Sequence, residues 1–365
     1  MDASTALALR MTSLLLRPHP SGRPGSVAGV VEWFGAMQAQ DLASGLWSLG
    51  VRLPGRTQDD VNAALERKEA IRTWPMRGTV HWVPPADARW MLDLMGVRAL
   101  AGAAKRRETI GLTEKNADRG VEALAGALAG GKRLTRAECL AAVSEAGVDV
   151  SGQQGYHLLW YASQRGVTCI TPNVGKEQTF ALLDEWAPEP SRPDRDEALG
   201  IVARRFFRSH GPATRADLAR WTGLPMADVK AGIAAAGEDL ATVDVDGTEM
   251  IVDPALADAG LDHVDDWAAL SGFDEYLLGY KDRSMMVDDE HKDAIIPGGN
   301  GVFQSTIVRA GRVVGTWKRT LGKKAVAVSA TALVPLRPAE RKKAEAALEP
   351  YATFVGLPVK VSWAP

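Results

Sequence analysis

Two glutamines flanking one alanine, Gln38 and Gln40, followed at once by Asp41, are the residues whose types and spacing most invite a chemical question. Each amide carries an acceptor oxygen and two donor hydrogens, and no charge at any pH. A pair can hold and orient a small polar molecule, or merely solvate a surface. On a regular helix, residues two apart point about 200° from one another, so the two amides would not serve one site. In an extended segment they would share a side. Asp41 reads as an N-cap for the helix that follows or as a counter-charge to a cation, with the cap preferred.

Familiar catalytic patterns do not compete. HExxH, Walker A, GxSxG, and GxGxxG with a following acid are missing, and "GKEQT" and "LGKK" lack phosphate-loop spacing. No metal and no cofactor are therefore expected. The only cysteines, Cys139 and Cys169, lie in "RAECLAAV" and "GVTCITP", which read as a helix and a strand. Without a CxxC or a cluster they are expected as reduced, buried thiols.

The elements that must position the amides are legible as repeats. "LTRAECLAAVSEAGV" from Leu134 and "ATRADLARWTGLPMADV" from Ala213 share Thr-Arg-Ala-acid. In each a threonine N-cap precedes an acid by three residues, a capping-box start (Thr135 with Glu138, Thr214 with Asp217). After the second copy come a "TGLP" turn, the helix "MADVKAGIAAAG" and two strands about Asp246-Gly247. With the helix "EALGIVARRFFRSHG" before it, this is the order of a winged helix-turn-helix. The first copy reads likewise, with "GQQGYHLLWYASQRG" as third helix and a wing turning at Gly175-Lys176.

A looser third copy occupies the N-terminus, with helices near Ala6 to Leu16, Val27 to Met37 and Gln58 to Lys68, then strands around "PMRG". From about Asp265 the character changes to alternating strands around a single helix, "PAERKKAEAALEPYAT". The expected class is α+β: winged helices at 1–98, 99–190 and 191–264, then a β-rich element at 265–365. The length of 365 residues accommodates several units at about 100–200 residues each.

Composition excludes other classes. With 46% hydrophobic and 24% charged residues the chain should fold as a globular protein. Its net charge of −2 argues against a coat-like basic protein, but not against local patches such as "WKRTLGKK". The first twenty residues lack the basic start and unbroken apolar run of a signal peptide, and no apolar run is long enough to span a bilayer. A cytoplasmic, nucleoid-associated protein with no membrane partner is expected.

Four stretches, "MQAQD" (37–41), "MRGTVHWVPPADARWML" (76–92), "GYKDRS" (279–284) and "IIPGGNGVFQSTIVRAGRVVGTWKR" (295–319), resemble the AlkZ/YcaQ-like bacterial DNA glycosylases, a winged-helix superfamily, over almost the whole chain. The resemblance implies a C-shaped arrangement of three winged helices and makes the glutamine-apolar-glutamine motif the catalytic element. YcaQ-like members carry aspartate at the second position, so Gln40 places the chain in the AlkZ branch. The helix before the motif should then end near Met37, so that both amides converge on one water aimed at C1′ of a deoxyribose. The implied partner is double-stranded DNA containing alkylated purines, met as a monomer.

The same resemblance suggests further contacts. Tyr280, Lys281, Asp282 and Arg283 would lie on a loop facing the lesion or a phosphate, an Asp282–Arg283 ion pair being the alternative. Lys281 raises Schiff-base chemistry, which a monofunctional family discounts. His81, on a predicted strand, would be packed or contact a phosphate. Asn300 in "PGGNG", Arg309 and Arg312 in "VRAGRV", and the neighbouring Lys318 and Arg319 are candidates for a β-hairpin against DNA. The competing reading is a winged-helix DNA-binding or regulatory protein without catalysis.

Overall fold

The computed structural model describes residues 1–257 and 265–364. The boundary expected at 264/265 falls on residues 258–264, outside the described residues. The fold is mixed, with helices and predominantly antiparallel sheets, and it divides into two compact units: Met1–Val61 together with Leu199–Pro365, and Asn62–Ala198. One unit therefore joins the two ends of the chain.

In the unit of the chain ends, helix Val27–Phe34 stops where Gly35 takes φ 76°, a conformation that disfavours any residue with a Cβ. Helix Leu42–Gly50 begins at the Asp41 cap and buries Trp47, whose indole N–H donates to the Ala269 carbonyl at 3.0 Å. Helices Arg215–Thr222 and Met226–Ala236 follow the long helix Arg195–His210. The threonine and acid of the predicted capping box, Thr214 and Asp217, satisfy one another's backbone N–H groups. Gly223 ends the first of these helices in the left-handed region. Strands Ala241–Val245 and Thr248–Val252 close on Asp246 and Gly247, both with positive φ, as a two-residue hairpin requires.

The remaining sheet runs Val359–Trp363, Val326–Ala332, Arg312–Leu321, Ser305–Arg309, Trp267–Leu270. All pairings are antiparallel except the first, which is parallel. A parallel pair needs a crossover, and 338–355 supplies it. The single helix expected there is two, Pro338–Ala346 and Glu349–Val355. Pro350 explains the break, because it lacks an N–H and its ring collides with the carbonyl four residues back. Trp47, Trp221, Trp317, Tyr276, Tyr280, Phe34, Phe206 and Phe207 fill this unit's core.

The second unit is built the same way. The hairpin Ile71–Met76 with Thr79–Val83 joins the hairpin Thr168–Val174 with Glu177–Leu182 through Arg72 opposite Ile170. Helices Glu114–Leu128, Arg136–Glu145 and Gln154–Gln164 accompany the sheet, and the capping box of Thr135 and Glu138 forms. Cys139 and Cys169 are free and buried, and burial pushes both thiols up to about 12, which leaves them unreactive.

Candidate active site

Because Gly35 stops the helix, the backbone leaves it three residues earlier than the expected end at Met37, and Met37–Gln38 is extended. The positive φ disfavours a side chain at Gly35, and a Cβ there would also press on the Arg205 Cδ at 3.1 Å. Ala36, Met37 and Ala39 are buried and anchor the segment, Gln38 is half-buried and Gln40 is exposed. Over 37–40 burial alternates, with Met37 and Ala39 inward and Gln38 and Gln40 less buried, although Gln40 itself lies in a bend beyond the two-residue strand. The Gln38 side-chain oxygen is inaccessible and has no hydrogen-bond partner among the described residues. Buried amide oxygens are seldom left so, and the exceptions are worth explaining chemically. Asp41 acts as the cap, its carboxylate accepting from Ser44 N–H at 2.9 Å.

Under this segment lies a group that the sequence did not single out. Glu275, 1% exposed, accepts from the Gln38 backbone N–H at 2.8 Å and from the Trp221 indole at 2.9 Å, and His210 Nε2 is 3.4 Å away. An acid inside the apolar run "FDEYLLGY" was the available signal. Its partners are 237, 54 and 65 residues distant in the chain, beyond any local pattern.

The "GYKDRS" residues are not a uniform loop face. Tyr280, expected to face a ligand, is fully buried: its hydroxyl donates to the His210 carbonyl at 2.7 Å and Arg10 lies 4.1 Å over its ring. A large ring gains more from the core than from water, which corrects the surface placement. Lys281 is exposed, and its backbone N–H donates to Asp217. Asp282 is exposed and accepts from Ser284 N–H, which holds its carboxyl below the usual range. Arg283 donates from Nε to the Leu277 carbonyl and stacks 5.0 Å over Phe303. His81 is buried within the other unit, with Nδ1 2.9 Å from the Thr79 carbonyl, and is packed rather than presented.

The hairpin tip proposed for DNA needs a correction. At Val308–Val313 the turn residues Ala310 and Gly311 have positive φ, and the tip rests on helix Ala3–Ser13 of the same unit. Tyr276 donates its hydroxyl to the Gly311 carbonyl. Arg309 is held by Asp265 at 2.6 Å and Glu340 at 2.8 Å, and Arg312 pairs with Asp288. An added methyl at Gly311 would meet the Leu7 Cβ at 2.7 Å with φ at 76°. Gly311→Ala should therefore cost about 1–3 kcal/mol in urea unfolding; a loss below about 0.5 kcal/mol would show that the tip is not docked.

The next hairpin has an exposed end. Strands Arg312–Leu321 and Val326–Ala332 close through Gly322 N–H to the Ala325 carbonyl at 3.0 Å. Lys318, Lys323 and Lys324 are exposed, as is Leu321 at 58%, while Arg319 is half-buried, 5.6 Å over the Tyr351 ring. Asn300 stays on an exposed turn, its side-chain oxygen accepting from Val302 N–H, and Gly298, Gly299 and Gly301 take the positive φ that the turns need.

The sequence profile of the AlkZ-like DNA glycosylases matches residues 31–354, from before the glutamine pair to the last helix. The chain belongs to that family. As an AlkZ-like protein it is a DNA glycosylase. It is 28% identical over 332 residues to the interstrand DNA cross-link repair glycosylase of Streptomyces sahachiroi, covering 85% of this chain and 86% of that one. The solved structure of the Streptomyces sahachiroi DNA glycosylase AlkZ aligns with a TM-score of 0.80 at 27% identity, over 99% of this chain and 100% of the other. Among the described residues no helix is long and apolar enough to cross a membrane.

Proposed function

We propose that this AlkZ-like glycosylase is monofunctional and hydrolyses the N-glycosidic bond of cationic N-alkylated purines in double-stranded DNA, with Gln38 and Gln40 holding the attacking water. One observation carries the reading: the motif leaves its helix at Gly35 into the short strand Met37–Gln38, where buried Met37 and Ala39 alternate with the less buried Gln38 and Gln40. An N7-alkylguanine is already a cation. When its C1′–N9 bond breaks, the electron pair moves to the purine and neutralises it, the water oxygen bonds to C1′, and the water's proton is released. Such a leaving group needs a positioned water and tolerance of positive charge on the sugar, not a strong acid or base. Neutral amides suffice there and would be poor catalysts for an undamaged base.

The S. sahachiroi relative carries interstrand cross-link repair in its name. By that kinship we extend the proposal to unhooking of interstrand crosslinks formed by bifunctional alkylators, in self-resistance or general repair. We assign the DNA-facing role to the hairpin end at 318–324, where lysines surround an exposed leucine. We keep three winged-helix units, at 1–98, 99–190 and 191–264, in this reading, the second and third supported by their capped helices and hairpins, with the protein working as a monomer in the cytoplasm at the nucleoid.

The test is release of free base from a duplex with a single N7-methylguanine, beside the same duplex unmodified. Free N7-methylguanine with an alkali-labile abasic site is the expected product. A sequence-specific shift of both duplexes alike, with no base released, would replace this reading with the regulator.

A further inference from the structure

The carboxylate of Glu275 does more than a hydrogen-bond acceptor at that place requires. It lies in the first turn of helix Glu275–Leu278, 1% exposed, and spans the catalytic segment and the core. One oxygen takes the Gln38 backbone N–H at 2.8 Å and the other takes the Trp221 indole N–H at 2.9 Å. Both partners can only donate, an arrangement suited to an ionised carboxylate. His210 Nε2 stands 3.4 Å from the second oxygen. Its ring is stacked on Phe206 with centroids 4.6 Å apart, and a Cβ at Gly279 would lie 2.2 Å from it, so the packing fixes it in place.

Other charged groups lie around the pair. Arg52 and Asp274, one residue earlier, compensate each other with two bonds of 2.8 Å. Arg10 lies over the Tyr280 ring and donates to the Pro212 carbonyl, and Asp217 accepts from Lys281 N–H and Thr214 N–H. Glu275 is the acid among these that touches the backbone of a glutamine of the motif. Holding an N–H needs an oxygen but no charge, and a buried charge is weakly screened, so its field reaches farther than that of a surface group.

We propose that Glu275 is a positioning residue whose negative charge is used: it fixes the Gln38 backbone and favours the positive charge that develops on the deoxyribose as the glycosidic bond breaks. This rests on the reading of Gln38 and Gln40 as the water-holding pair.

The test is equilibrium binding of the full chain to two duplexes differing at one nucleotide, a cationic pyrrolidine abasic analogue against the neutral tetrahydrofuran analogue. Wild type should prefer the cation by about tenfold or more. Glu275→Gln removes the charge and keeps an acceptor for the Gln38 N–H while setting its NH2 against the Trp221 indole N–H; with folding verified, its affinity for the cationic duplex should fall at least about tenfold more than its affinity for the neutral one. Equal weakening towards both duplexes would mark a structural role and overturn the inference. So would a wild type without preference; that outcome decides the matter even should Glu275→Gln not fold. Base release by wild type from N7-methylguanine DNA is scored separately. Release without a cation preference sinks this inference alone, whereas no release removes the water-holding reading and the inference with it.

Discussion

Asp274→Ala is expected to destabilise the protein by about 3–5 kcal/mol, a large share of the reserve of a domain whose total is about 5–15 kcal/mol. Asp274 and Arg52 are 3% and 0% exposed at their side chains, and they meet through two parallel bonds of 2.8 Å. The carboxylate also accepts from Ser48 Oγ and caps the helix of Glu275 through Tyr276 N–H. Truncation leaves a buried guanidinium without its counter-charge and removes a cap, and both losses act in the same direction. Urea unfolding followed by tryptophan fluorescence measures the cost. A change below about 1 kcal/mol would mean that water or a shift of Arg52 replaces the carboxylate. Because the next residue is Glu275, the variant should also loosen the segment of Gln38 that we propose holds the water.

Gln38→Ala and Gln40→Ala are each expected to slow single-turnover release of N7-methylguanine by about 100-fold or more, roughly 2.7 kcal/mol of barrier, with little change in DNA affinity. The reasoning is geometric. Gln38 is fixed through its backbone, by the buried neighbours Met37 and Ala39 and by the bond to Glu275, so removing its side-chain amide should not move the chain. What is lost is orientation of the nucleophile, which acts in the transition state more than in binding. A tenfold weakening of DNA binding with an unchanged rate of release would instead make the glutamines groove contacts.

Local signals were the ones that could be read from sequence. Threonine followed three residues later by an acid marks a helix start because both groups are satisfied within one turn, and both such starts formed. Asp246-Gly247 specifies a hairpin through backbone sterics alone. The helix before the glutamines ends at Phe34 rather than Met37 because Gly35 takes a positive φ beside Arg205, a neighbour far away in the chain. Pro350 lies inside the stretch expected as one helix, and the chain forms two helices that meet just before it. The hairpin tip at 308–313 has the composition of a projecting turn, and only the packing of Leu7 on Gly311 reveals it as docked. In the site, the glutamine pair was legible by motif, whereas Glu275, His210 and Trp221 gain meaning only when three distant segments meet.

The claim that both amides hold one water is tested most directly by a double-mutant cycle. Single-turnover release of N7-methylguanine is measured for wild type, Gln38→Ala, Gln40→Ala and the double variant, at saturating protein and with folding verified. Two groups acting on one water are non-additive, so the double variant should be no more than a few-fold slower than the slower single variant. If the two losses multiply, the glutamines act independently and the shared water is wrong.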